Sequence, residues 1–121
     1  MSKSAFSLLI YSLYMLATGL VVMTYPNFLL GLFGVAPTTE GWIRLVGMLV
    51  FIVGYYDFMS ARAGMVGFLR WSVYARFGAF VTFVAFVAFK FLPPIVILFG
   101  VVDAVMATWT AVALRLERAT I

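Results

Sequence analysis

The chain has 121 residues, of which 66% are hydrophobic and 10% charged, against about 45–50% and about 25% in ordinary soluble domains. A soluble domain of this size buries only roughly two-thirds of its unfolded surface, so so apolar a chain needs lipid as its solvent. It carries no Cys and no His, and its eight Lys plus Arg against four Asp plus Glu give a net charge of +4, which excludes disulfides, thiol nucleophiles, imidazole bases and almost all transition-metal sites.

The cations flank apolar runs and form no polar basic face, so nucleic acid is not a partner. The sequence predicts one transmembrane domain over 1–121, an all-α integral membrane four-helix bundle, with the lipid bilayer as its first partner.

The first apolar run covers residues 5–23, is preceded by Lys3 and closes at Tyr25-Pro26-Asn27. It is long for the apolar core of a secretory signal and reads as the first membrane helix. Residues 27–36 are apolar but broken by Gly31 and Gly34, too short to span, and read as a segment in the interface or folded against the helices. A second span is expected over 42–59, a polar connection carrying Arg62 and Arg70 over 60–70, and a third span over 71–91. Lys90 and Pro93-Pro94 mark a tight turn, with proline placed to open the fourth span at 95–114, and Arg115-Leu116-Glu117-Arg118 forms a charged tail.

Lys and Arg near short loops stay cytoplasmic. Lys3, Arg62, Arg70, Arg76, Arg115 and Arg118 collect at one side and only Arg44 and Lys90 at the other, so both termini are expected in the cytoplasm. Tyr25 and Trp42 on the outer side, with Trp71 and Tyr74 on the inner, fit the two aromatic belts. Arg44 reads as an interface anchor that snorkels to headgroups or pairs with Glu40 one turn earlier.

Counting depth at about 1.5 Å per residue puts Asp57 and Arg76 at one level near the cytoplasmic side and Asp103 close to the midplane, with Tyr14 and Thr82 at similar depth. An ionisable group there is a site hypothesis, because inserting it costs about 2.5–3.5 kcal/mol. The alternative is a carboxylate that fixes packing by accepting hydrogen bonds from neighbouring helices. Ser7, Tyr11, Tyr14, Thr18 and Tyr25 share one face of the first helix, with Tyr55, Tyr56 and Trp109 as candidates to join it. Such a polar aromatic stripe is either one wall of a pocket for a flat apolar molecule with a polar handle or plain interhelical glue. The candidate ligand-binding set is therefore Asp103, Tyr14, Tyr11, Arg76, Asp57, Tyr55 and Trp109, with no metal ligands and no cofactor called for. Gly78 with Thr82 and Ala85, and Gly100 with Ala104, are small residues at helical spacing that let backbones approach.

Three stretches carry a family resemblance: Tyr25-Pro26 with Leu29-Leu30-Gly31-Leu32, then Arg70-Trp71-Ser72-Val73-Tyr74-Ala75-Arg76, then Pro93-Pro94 with Phe99-Gly100-Val101-Val102-Asp103 and Trp109-Thr110. With them the chain resembles the small bacterial DoxX-like membrane proteins of four helices. The resemblance implies a bacterial inner-membrane location and, for some relatives, a link to quinone or sulfur redox systems, and it transfers no catalytic residue. The leading functional expectation is a small membrane protein that binds an apolar ligand (quinone, lipid or aromatic compound) or serves as accessory subunit of a larger membrane complex. The alternatives are an intramembrane isomerase or oxidoreductase using Asp103 and a tyrosine on a lipid-soluble substrate, and a small transporter working as a homodimer.

Overall fold

A computed structural model describes residues 1–119, with side chains through Glu117. The side chain of Arg118, counted above among the cytoplasmic cations, lies outside the described residues. The fold is all-α, with no strand among the described residues: α1 (Lys3–Thr24), α2 (Pro26–Leu32), α3 (Trp42–Ala63), α4 (Val66–Ala88), a 3₁₀ turn (Pro94–Val96) and α5 (Ile97–Ala119). Four of the helices are long and apolar enough to cross a membrane, and the chain is a multi-pass membrane protein of the helical-bundle class. At 22 or 23 residues each, they exceed the ~20 needed for a ~30 Å hydrocarbon core.

The expected connection at 60–70 is mostly helical. Helix α3 runs on to Ala63 and α4 begins at Val66, so Arg62 and Arg70 are helical. Ser60, Arg62 and Arg70 are polar, but arginine is a good helix former whose long stem can carry its charge outward without breaking the helix. The reversal needs only Gly64, at φ 66°. Its N–H donates to Ala61 O at 3.1 Å, while that of Met65 donates to Ser60 O at 3.1 Å, the paired bonds of a Schellman cap. The third span likewise starts five residues earlier and ends three earlier than expected. The short segment after α1 is helical over Pro26–Leu32, with proline in its first turn. It ends in a second Schellman cap at Gly34 (φ 68°).

A third cap of this kind ends α4, but its left-handed position is Lys90, at φ 62°. The Lys90 N–H donates to Val87 O at 3.0 Å and the Phe91 N–H to Phe86 O at 2.8 Å. A side chain in that conformation costs about 1 kcal/mol that glycine avoids. Lys90→Gly is therefore expected to raise thermal stability in detergent by about 1 kcal/mol, while Lys90→Ala, which keeps the β-carbon, gives no such gain. Equal midpoints for the two variants would refute the strain.

The chain forms two compact units, one of Leu9–Met59 and one of Met1–Leu8 with everything from Ser60 onward. In the first, α1 and α3 run antiparallel and touch backbone to backbone. A β-carbon on Gly19 would lie 2.5 Å from Phe51 N and 2.8 Å from Gly47 O; one on Gly47, 2.7 Å from Val22 C and 2.9 Å from Gly19 O; one on Gly54, 3.0 Å from Leu16 N. Arg44, on the first turn of α3, donates from Nη1 to Met23 O and Thr24 O, both at 2.9 Å. It neutralises the carbonyl end of α1 in place of pairing with Glu40, whose carboxylate accepts from Trp42 Nε1. Asn27 closes the following loop by bonding both the N–H and the C=O of Thr38, at 2.8 and 3.1 Å.

In the second unit α4 and α5 form a hairpin. Gly100 would place a β-carbon 3.2–3.3 Å from Phe80 and Phe83, and Phe83 stacks on Phe99 with centroids 6.4 Å apart. The core there is Leu8, Ala61, Leu69, Val73, Ala107 and Ala113, all buried. Gly78, by contrast, has nothing within 4 Å of where a β-carbon would sit, so its expected role in close approach is not used within the chain.

Candidate ligand groove and buried polar column

Asp103, Thr110 and Glu117 recur at intervals of seven along α5, which puts them on one helix face. Asp103 and Thr110 are buried. The start of α1 is fastened to this face. Ser4 N donates to Glu117 Oε1 at 3.0 Å and Ser4 Oγ to Oε2 at 2.7 Å. About two turns of α5 away, Ser7 Oγ and Thr110 Oγ1 lie 2.6 Å apart. Ser2 Oγ accepts from Ala5 N at 3.1 Å, so Ser2 and Glu117 together satisfy donors in the first turn of α1 that no helical carbonyl can reach. A carboxylate there also meets the positive end of the helix.

On α4, Arg76 is buried. Its Nε donates to Ser72 O and its Nη2 to Ser72 Oγ, both at 3.2 Å, while Ser72 Oγ donates to Leu69 O at 2.8 Å. This folds the guanidinium back along its own helix. In the other unit Asp57 and Tyr11 are buried and Tyr14 partly so, with the two tyrosine rings 5.9 Å apart. Of the seven candidate side chains, then, Asp57, Arg76, Asp103 and Tyr11 are turned inside. Tyr55 is 51% exposed and packs its ring beside the equally exposed Tyr56 at 6.2 Å. Trp109 is 39% exposed and meets Phe6 edge-on at 6.2 Å. Along the stripe on α1, Ser7 and Tyr11 are buried, Tyr14 and Thr18 partly so, and Tyr25 is exposed.

None of those seven lines the groove of about 470 Å³ that lies between α4 and α5 in the second unit. Its apolar lining comes from Val66, Val73 and Phe77 on α4 and Ala111 and Leu114 on α5, and its polar lining from Arg70, Tyr74, Arg115 and Glu117. The sequence reading assigned Arg70 and Arg115 to membrane sidedness and Tyr74 to an aromatic belt. Trp71 and Tyr74 are exposed, with rings 6.4 Å apart. The signal missed was that α4 and α5 pair antiparallel, which brings the start of one beside the end of the other.

An apolar floor between two helices takes up hydrocarbon or an aromatic ring, and guanidinium and phenol groups at its mouth bind oxygen atoms on a ligand's polar end. Among the described residues no three His, Cys, Asp or Glu side chains come together as metal ligands. Compared with known proteins, the chain matches no protein-family model, no curated sequence and no solved structure.

Proposed function

We propose that this chain is a small DoxX-like multi-pass protein of the bacterial inner membrane that binds an apolar ligand with a polar end in the groove between α4 and α5. The observation that carries the reading is the groove itself, an apolar trough with Arg70, Tyr74 and Arg115 at its mouth in a chain with four membrane-length helices. The sidedness of the cations supports both termini facing the cytoplasm. In the second unit Lys3, Arg70 and Arg115 gather at the end where Ser4 meets Glu117, and Lys90 lies at the opposite end of α4. Ligand binding also fits an accessory role in a larger membrane complex, since a bound amphiphile can fill the seam between such a subunit and its neighbour.

The test is extraction and mass spectrometry of what copurifies from mild detergent. A quinone, lipid or aromatic compound is expected in stoichiometric amount. Ala111→Trp, which fills the groove floor, is expected to lower its retention about tenfold, equivalent to about 1.4 kcal/mol. Retention that Ala111→Trp leaves unchanged would remove the groove as the binding site, and a ligand-free protein would remove the reading altogether.

A further inference from the structure

We infer that the occupant of this groove is a bilayer phospholipid with an anionic headgroup, its phosphate held between Arg70 and Arg115 and one acyl chain lying along the apolar floor. The inference rests on the reading above and specifies its ligand. Its ground is the charge of the rim. Arg70 comes from the first turns of α4 and Arg115 from the last turns of α5, so two helices each present one guanidinium to the same trough. Both are exposed, and among the described residues neither forms an ion pair.

The one carboxylate on the rim, Glu117, leaves the groove lining net positive, with two cations to one anion. It has both oxygens engaged by Ser4, one by its N–H at 3.0 Å and one by its hydroxyl at 2.7 Å, which orients it toward the start of α1. Besides Glu117, the polar lining of the groove is a pair of cations and Tyr74. Guanidinium forks match the oxygens of a phosphate and give up hydration more readily than ammonium groups do. The rest of the groove is lined by apolar side chains, as an acyl chain requires. A quinone would use the floor but leave two cations facing a neutral carbonyl, whereas a zwitterionic lipid brings its own ammonium to the same mouth. A basic pocket between helices at the membrane surface is the arrangement that selects anionic headgroups.

The experiment uses the full chain in nanodiscs of mixed phosphatidylglycerol and phosphatidylcholine, with retained lipid counted by native mass spectrometry after release into mild detergent. Each guanidinium near the surface contributes roughly fivefold, so the wild type is expected to favour phosphatidylglycerol about 25-fold. Arg70→Gln or Arg115→Gln alone should bring the preference to about fivefold, and the double variant to near unity. Lys3→Gln, which removes a cation from the same end of the unit but from outside the groove, should leave it unchanged. If Lys3→Gln weakens the preference as much as Arg70→Gln does, the selectivity belongs to the general surface charge and the inference fails. Equal retention of both lipids by the wild type also overturns it, while leaving the groove as an apolar ligand site. A protein that retains no lipid or other amphiphile sinks both. Should the double variant not fold, judged by far-ultraviolet circular dichroism, the two single variants carry the same test.

Discussion

Gly47→Ala is expected to destabilise the protein by about 2–3 kcal/mol, and Gly19→Ala by a similar amount, near the upper end of what overpacking costs. In an exposed helical position the same change would gain roughly 0.5–1 kcal/mol, because alanine loses less backbone entropy on folding. The sign reverses because of what the new methyl would meet. At Gly19 the nearest atoms are Phe51 N at 2.5 Å, then Gly47 O and Phe51 Cα at 2.8 Å. At Gly47 they include Val22 C at 2.7 Å and Gly19 O at 2.9 Å.

All of these belong to the main chain, so no rotamer change makes room and the two helices must move apart. In lipid that separation is costly in a particular way. Tails are as apolar as the side chains, so α1 and α3 depend on close van der Waals contact along their length, and widening the gap forfeits it. Gly78→Ala is the internal control, since nothing lies within 4 Å of its added carbon. Unfolding midpoints in detergent with increasing sodium dodecyl sulfate should rank Gly78→Ala at or slightly above wild type and both other variants well below it. A Gly47→Ala protein as stable as Gly78→Ala would mean that α1 and α3 are not in backbone contact.

These glycines also show what the sequence could and could not convey. Four spans follow from composition, since long apolar stretches between charged flanks have few alternatives. Spacing shows which small residues share a helix face, and on that basis Gly78 with Thr82 and Gly100 with Ala104 were the natural choices. It does not show which face has a partner. Gly100 does sit against Phe80 and Phe83, but the tight contact in the first unit is made by Gly19, Gly47 and Gly54, which spacing alone did not single out.

Helices α3 and α4 run past the expected span limits at residues 60–70 for a related reason, because arginine signals the membrane surface and helix propensity together. The groove was hidden for a third reason. Arg70 and Arg115 look the same in sequence whether they fix sidedness or bind a phosphate, and only the pairing of α4 with α5 sets them at one mouth. The intramembrane ionisable groups were easier to find, because Asp57, Arg76 and Asp103 stand out in apolar surroundings, and all three are buried.

Glu117→Ala is expected to cost about 2 kcal/mol and to loosen the first two turns of α1 specifically. Its carboxylate accepts two hydrogen bonds, from Ser4 N at 3.0 Å and Ser4 Oγ at 2.7 Å, and bonds to a charged group contribute about 1.5–3 kcal/mol against about 1 for neutral ones. Deleting it leaves the Ser4 N–H, buried with its residue, without any helical carbonyl to turn to, since it lies in the first turn. Ser4→Ala removes only the hydroxyl bond and keeps the backbone one, so it should cost about half as much. The double variant should then show a coupling of about 1 kcal/mol. Ser7→Ala is milder still, because Thr110 Oγ1 keeps Met106 O at 3.2 Å once its 2.6 Å contact with Ser7 is gone.

The readout that separates a cap from general packing is amide hydrogen exchange. Protection should fall at residues 4–8 in Glu117→Ala while that of α4 stays near wild type, because the two bonds to Ser4 tie α1 to α5. Uniform loss of protection across all helices, or a coupling below about 0.3 kcal/mol, would show that Glu117 does not cap α1.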